Sequence, residues 1–181
     1  MRAFASALPG VVTLEPKVFG DDRGFFFESY NKRAFREATG LDVEFVQDNH
    51  SRSAGNVLRG LHYQIRQPQG KLVRCIAGSV YDVVVDLRRS SPRFGDWAAV
   101  QLTAENKRMV WVPPGFAHGF LVTSAVAEVV YKATDFWGPA FERTLAWDDP
   151  ALAIPWPLNG PPVLSAKDSK GATLPIAETY E

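Results

Sequence analysis

The chain is written in short runs where apolar and polar positions alternate, broken by turn residues about every ten positions. That rhythm is the signature of an all-β sandwich or barrel. The runs predict strands near 11–19, 25–30, 43–50, 57–65, 71–78, 79–88, 97–103, 108–113, 118–124 and 126–134. The clearest is SVYDVVVDL. Strand alternation puts Tyr81, Val83, Val85 and Leu87 on one face and Val80, Asp82, Val84 and Asp86 on the other. Two aspartates on one face mean that this face meets water or a polar cavity. Gly78 and Ser79 separate it from the preceding run, so 71–87 reads as a hairpin.

One segment reads as helix, NKRAFREATG at 31–40. Asn31 is a good N-cap and Gly40 a good terminator. The late stretch IPWPLNGPPVLSAKDSKGATLP is dense in proline and glycine. It predicts irregular structure wrapped on the β core, not a further domain. The 181 residues hold no internal repeat and no low-complexity linker, so 1–181 is expected to be a single domain.

Composition narrows the classes. With 46% hydrophobic residues the chain can bury a core without staples. Lys plus Arg (20) balance Asp plus Glu (20), which excludes a global basic field for nucleic acid but not a local basic cleft. The single cysteine, Cys75, excludes an intramolecular disulfide and reads as a small buried hydrophobe. No apolar stretch approaches the roughly 18–20 residues that span a bilayer, so no membrane partner is expected. The opening MRAFASALPG is interrupted at Pro9 and Gly10 and does not read as a signal peptide. A cytoplasmic protein is the expectation.

The candidate chemistry rests on three histidines, His50, His62 and His118. PPGFAHGF carries the Pro-x-Gly-x-x-His spacing of one half of a cupin metal site. In the other half, LHYQIRQPQGK, Gln64 stands where a second histidine belongs, and no glutamate precedes Lys71. An amide replaces imidazole poorly on a transition metal. The expectation is the fold without the metal, with a metal-dependent cupin enzyme as the alternative.

Proton transfer is the next candidate. His62 has the side chain suited to a base near neutrality, Lys71 can hold a developing oxyanion, and the Tyr131 phenol can return a proton. Residue type and spacing alone also allow His62 and Tyr131 to be ordinary satisfied strand residues. Arg23 with Glu28, the run Gln47, Asp48 and Asn49, and Arg59 form polar clusters. Arginine forks suit diphosphate, and amides suit a base or sugar hydroxyl. No glycine-rich loop enters a helix, so neither P-loop nor dinucleotide-fold binding applies.

DDRGFFFESYN, QDNHSRS, NVLRGLHYQ, QGKLVR, GSVYDVVVDLRRSSPRFGDW, VPPGFAHGFLV, EVVYKATDFW, WDDP and LSAKD follow one another in that order. Together they resemble the dTDP-4-dehydrorhamnose 3,5-epimerase family over roughly residues 10–170. The resemblance implies a cupin-type jelly-roll β-barrel, no metal, no cofactor and a homodimer. It implies a dTDP-4-keto-6-deoxy-hexose inverted at C3, C5 or both. In that resemblance His62 is the base, Tyr131 the acid, Asp168 the carboxylate partnering the histidine, and Lys71 the group near the C4 oxygen. Arg59 and His118 match contacts to the diphosphate and sugar. Gln47, Asp48, Asn49, Glu142 and Lys167 match further binding positions. Arg23 and Glu28 match residues that reach the nucleotide across the dimer interface.

The chain departs from the family pattern after YKATD. Two aromatics, commonly tyrosines, stand there in the family, the second stacking on thymine. Here they are Phe136 and Trp137, which keep a π-face and lose the phenols. The segment between His62 and Lys71 is also slightly short, a loop difference. Strict alternation would put Arg59 and His62 on opposite faces of one strand, although the resemblance sends both to the substrate. A bulge at Gly60 would reconcile them, as would Arg59 reaching round the mouth. A non-catalytic nucleotide-sugar binding module on the same barrel is the remaining alternative.

Overall fold

The computed structural model describes residues 1–181. In chain order the elements are β1 Arg2–Ala5, β2 Val12–Glu15, β3 Phe19–Asp21, β4 Gly24–Phe26, α1 Lys32–Thr39, β5 Gln47–Ala54 and β6 Leu58–Gln64. They continue with β7 Lys71–Ala77, β8 Ser79–Asp86, β9 Trp97–Thr103, β10 Met109–Val112, β11 Phe116–Val122, β12 Val126–Ala133 and β13 Glu142–Thr144. A 3₁₀ turn, Asp168–Lys170, follows late in the chain. A six-stranded sheet in the order β1-β2-β10-β7-β12-β5 stacks on a five-stranded sheet, β13-β6-β11-β8-β9, and β3 and β4 form a separate hairpin. The fold is a jelly-roll sandwich of two open sheets rather than a closed barrel.

Alternation decides which side chains meet between the sheets. Val73, Cys75, Val110, Val112 and Val129 from one sheet pack on Val80, Val84, Phe116, Phe120 and Val122 from the other. The opposite face of β8 sends Val83, Val85 and Leu87 outward, where Leu145, Leu152 and Ala177 of the irregular C-terminal wrap bury them. The wrap is anchored by tryptophan and tyrosine polar tips. Trp97 Nε1 donates to the Leu152 carbonyl at 2.9 Å, and Tyr63 Oη to the Glu178 carbonyl at 2.6 Å. These bonds keep large amphipathic rings satisfied while they cover apolar surface.

The helix covers the outer face of the six-stranded sheet. The Asn31 side chain accepts the Ala34 N–H at 3.1 Å, and Gly40 closes the helix at φ 73°. Phe35, 1% exposed, is its anchor, in edge contact with Trp111 at 5.6 Å between ring centroids. Burying one such ring contributes about 2–3 kcal/mol.

Several further sequence expectations change. The 71–87 hairpin does not form: β7 belongs to the six-stranded sheet and β8 to the five-stranded one. Gly78, at φ 69°, turns the chain from one sheet to the other. A Cβ there would lie 2.0 Å from the Val126 carbonyl oxygen. Glycine serves a tight hairpin and an inter-sheet corner equally well, which is why the pattern misread it. The strand expected at 43–50 starts at Gln47 and runs to Ala54, and β1, β3 and β13 were not anticipated.

Candidate active site

A cavity of about 400 Å³ opens between the sheets. From the six-stranded sheet come Gln47, Asn49 and Ser51 of β5, Lys71 of β7 and Tyr131 of β12. From the five-stranded sheet come Arg59 and His62 of β6, His118 of β11 and Glu142 of β13. Gln69, Trp137 and Lys167 close the rim from the connecting segments.

Arg59 and His62 share this cavity because β6 carries a bulge. His62 pairs with His118 while Arg59 pairs with Phe120, so three steps on β6 match two on β11. The extra residue restores both side chains to one face. Gly60 makes it possible. Its φ is 119°, and a Cβ there would lie 2.6 Å from Gly119 Cα and 2.8 Å from the His118 carbonyl oxygen.

The wrap delivers Asp168 behind the imidazole. His62 Nε2 lies 2.5 Å from Asp168 Oδ1, the Ser165 hydroxyl donates to Oδ2 at 2.7 Å, and the Gly60 N–H donates to Oδ1 at 3.3 Å. Burial alone would raise the Asp168 pKa; the bonds from His62, Ser165 and Gly60 more than reverse this and hold it at about 2. The carboxylate stays ionised and accepts the Nε2 proton, which leaves Nδ1 as the basic nitrogen. Burial pulls the His62 pKa below 6.5, against the pull of Asp168, so the ring is a neutral base at pH 7.

Tyr131 faces His62 from the other sheet. Burial, and then the charge of Glu142, raise its pKa, so the phenol keeps its proton. Lys71 Nζ lies 5.9 Å from the Tyr131 ring centroid. Enclosure lowers its pKa to about 8, opposed by Glu142 and Asp82, so it is cationic at neutral pH and close to titrating. Lys167 pairs with Glu142 at 2.9 Å. Arg59 gives Nε to Ser53 Oγ at 2.9 Å and has no carboxylate partner, which leaves its terminal amines for an anionic ligand. His118 is buried, with its Nε2 2.9 Å from Asp82 Oδ2.

Four of the residues singled out in the sequence are not brought to this cavity, His50 among them: it lies on the exposed face of β5 with Nε2 2.9 Å from Glu128 Oε2. Alternation on β5 turns Asp48 to the outer face, where Lys132 binds it at 2.9 Å. Arg23 sits on the exposed β3–β4 hairpin, paired with Asp21. Glu28 follows that hairpin and accepts the Asn31 side-chain amide at 2.9 Å. Conversely, Ser51, Gln69, Asp82 and Ser165 were missed. Ser51 was legible by alternation with Gln47 and Asn49, and Asp82 by its place on the polar face of β8. Gln64 does not line the cavity; its side chain bonds the 135–138 loop. No three His, Cys, Asp or Glu side chains gather as a metal-ligating group.

An imidazole backed by a carboxylate, facing a protonated phenol and an ammonium between two sheets, defines a jelly-roll protein equipped for acid–base chemistry. A sequence profile described as dTDP-4-dehydrorhamnose 3,5-epimerase matches residues 5–175. A Pseudomonas aeruginosa dTDP-4-dehydrorhamnose 3,5-epimerase is 62% identical over 180 residues, 99% of each chain. One from Salmonella typhimurium is 55% identical over 175 residues, 96% of each chain. The crystal structure of dTDP-6-deoxy-D-glucose-3,5-epimerase from Legionella pneumophila in complex with dTDP-4-keto-L-rhamnose superposes with a TM-score of 0.95. It is 48% identical and the match covers 98% of this chain and 94% of that one. The chain belongs to the dTDP-4-dehydrorhamnose 3,5-epimerase family, a family of isomerases. No helix is long and apolar enough to cross a membrane.

Proposed function

We propose that the chain epimerises a dTDP-4-keto-6-deoxy-hexose at C3, C5 or both, through an enolate. The C4 ketone makes both neighbouring C–H bonds acidic. His62 Nδ1 takes one proton, and the electron pair moves onto the C4 oxygen. Lys71 stabilises that oxyanion. Tyr131 donates its proton to the carbanionic carbon from the opposite side, which inverts the centre; solvent then restores both residues. The electron sink is the substrate's own carbonyl, so the reading needs no cofactor.

One observation carries it: base and acid enter a single cavity from opposing sheets, His62 from β6 and Tyr131 from β12. Inversion requires proton removal on one face of the ring and delivery on the other. Arg59 and Lys167 offer donors to the diphosphate, His118 offers Nδ1 to the sugar, and the Gln47 and Asn49 amides and the accepting carboxylate of Glu142 meet sugar hydroxyls. Trp137, 56% exposed at the rim, offers a stacking face to thymine.

The reading extends to a homodimer of one-domain protomers. Phe19, Phe25 and Phe26 of the hairpin are 53%, 64% and 70% exposed, an apolar surface that a second copy would cover. Arg23 and Glu28 would then reach the partner's nucleotide. A substrate with a charged diphosphate does not cross a bilayer unaided, which supports the cytoplasm as the compartment.

The test is product NMR after incubation with dTDP-4-keto-6-deoxyglucose in heavy water. Deuterium at C3, C5 or both is expected. Binding without deuterium incorporation would reduce the protein to a nucleotide-sugar binding module.

A further inference from the structure

We propose that Gln64 is a positioning residue that fixes the aromatic platform at the cavity rim. The inference rests on the reading of Trp137 as the base-stacking face and explains how that face is held.

The loop that follows β12 makes its backbone bonds in an unusual way. From the Asp135 carbonyl to the Gly138 N–H, each bonded polar group is met by a side chain. Gln69 Nε2 donates to the Asp135 carbonyl at 2.8 Å, and Asp135 Oδ1 accepts the Phe136 N–H at 2.7 Å. Gln47 Oε1 accepts the Trp137 N–H at 3.0 Å. Gln64 supplies the rest. Its Oε1 accepts the Gly138 N–H at 2.7 Å, and its Nε2 donates to the Phe136 carbonyl at 3.2 Å and the Gln67 carbonyl at 2.8 Å. One amide therefore grips the residues on both sides of Trp137 and ties them to the β6–β7 loop.

Burial gives that grip its strength. Gln64 is 4% exposed, whereas the rings it positions are open: Phe136 is 62% and Trp137 56% exposed. A rim aromatic that is more than half exposed owes much of its pose to its backbone. An ordered platform loses less conformational freedom when a base stacks on it. Gln64 occupies the sequence position of a cupin metal ligand, and here its polar atoms are spent on the loop. It does not line the cavity, and its side-chain hydrogen bonds go to the loops and not to His62, Lys71 or Tyr131.

The test uses the full chain and two probes, dTDP and the dTDP-4-keto sugar. Gln64→Met keeps the volume and removes all three bonds; Gln64→Glu keeps the acceptor for Gly138 and loses both donors. Trp137→Ala is expected to weaken dTDP about tenfold or more, in line with base stacking on an aromatic. Gln64→Met is expected to weaken dTDP and raise KM about fivefold with kcat unchanged, and Gln64→Glu to fall between it and wild type. Adding Trp137→Ala to Gln64→Met should bring dTDP affinity no lower than Trp137→Ala alone, because both act through one ring. A merely structural role would lower Tm and the active fraction without this KM-only signature. Fully additive losses, or unchanged dTDP affinity in a folded Gln64→Met, would overturn the clamp. Unchanged dTDP affinity in Trp137→Ala would overturn the platform reading, and the clamp with it.

Discussion

His62 and His118 stand directly opposite each other on β6 and β11, and each presents Nε2 to a buried aspartate. For His62 the partner is Asp168 at 2.5 Å, brought in by the wrap from 106 positions away; for His118 it is Asp82 at 2.9 Å, from the adjoining strand β8. In both rings the carboxylate takes the Nε2 side, so Nδ1 is the nitrogen left for a ligand. The two pairs differ in what surrounds them. Asp168 also accepts from Ser165 and the Gly60 N–H, which fixes its orientation and keeps it ionised.

Removing the charge behind His62 tests that arrangement. Asp168→Asn keeps the shape, but its amide can donate to Nε2 and so favours the wrong tautomer. Turnover is expected to fall about 100-fold or more while dTDP affinity stays near wild type. Steady-state kinetics beside calorimetric dTDP binding separates the two. Unchanged kcat would remove Asp168 from the role.

The pH dependence of kcat/KM should be a bell with shifted limbs. The base must be neutral, and burial holds His62 below 6.5, so the acid limb appears below that value. Lys71 must be cationic, and its pKa is lowered to about 8, so activity falls as pH rises through that region. Lys71→Arg should carry the alkaline limb upward, because a guanidinium does not titrate there. An alkaline limb that stays in place in that variant would assign it to another group.

Acid stability carries a second signature of Asp168. Its folded pKa of about 2 lies below the ordinary 3.8, so the unfolded chain takes the proton first as pH falls. The stabilisation, about 2 kcal/mol, is complete above the unfolded value and is lost between about pH 4 and pH 2. Thermal unfolding followed by circular dichroism should show a steeper acid decline in wild type than in Asp168→Asn. Parallel declines would contradict the linkage.

Gly60→Ala should be costly out of proportion to one methyl group. The added Cβ meets Gly119 Cα at 2.6 Å in a backbone conformation at φ 119°. A loss of about 2–4 kcal/mol in chemical unfolding is expected. Residual folded protein should bind dTDP weakly, because the bulge aims Arg59. A Gly60→Ala variant of wild-type stability and affinity would mean the bulge is not needed.

Phe26→Asp tests the hairpin as an interface. A charge on a ring position that is 70% exposed costs the protomer little, but it would break an apolar contact between copies. Light scattering should show monomers in place of dimers. A dimer that persists would move the interface elsewhere.

Several features of this chain follow from local pattern alone. Alternation in SVYDVVVDL separates the two faces of β8, and Asn31 and Gly40 bound the helix by their own capping bonds. The nine ordered motifs point to the family, and the resemblance picks out His62, Lys71, Tyr131 and Asp168, because those residue types stand in the string itself. Other features are decided only when strands pair. β5 reads QDNHSRSA, without a large apolar residue, so its extent follows from pairing with β12 and not from hydrophobic rhythm. That pairing turns Asn49 inward and Asp48 outward, and one extra residue on β6 puts Arg59 beside His62. The jump from β7 to β8 across the sandwich, the return of Asp168 from the wrap and the grip of Gln64 on its loop are contacts between distant segments. Local propensity is blind to them because their energy exists only once both partners are in place.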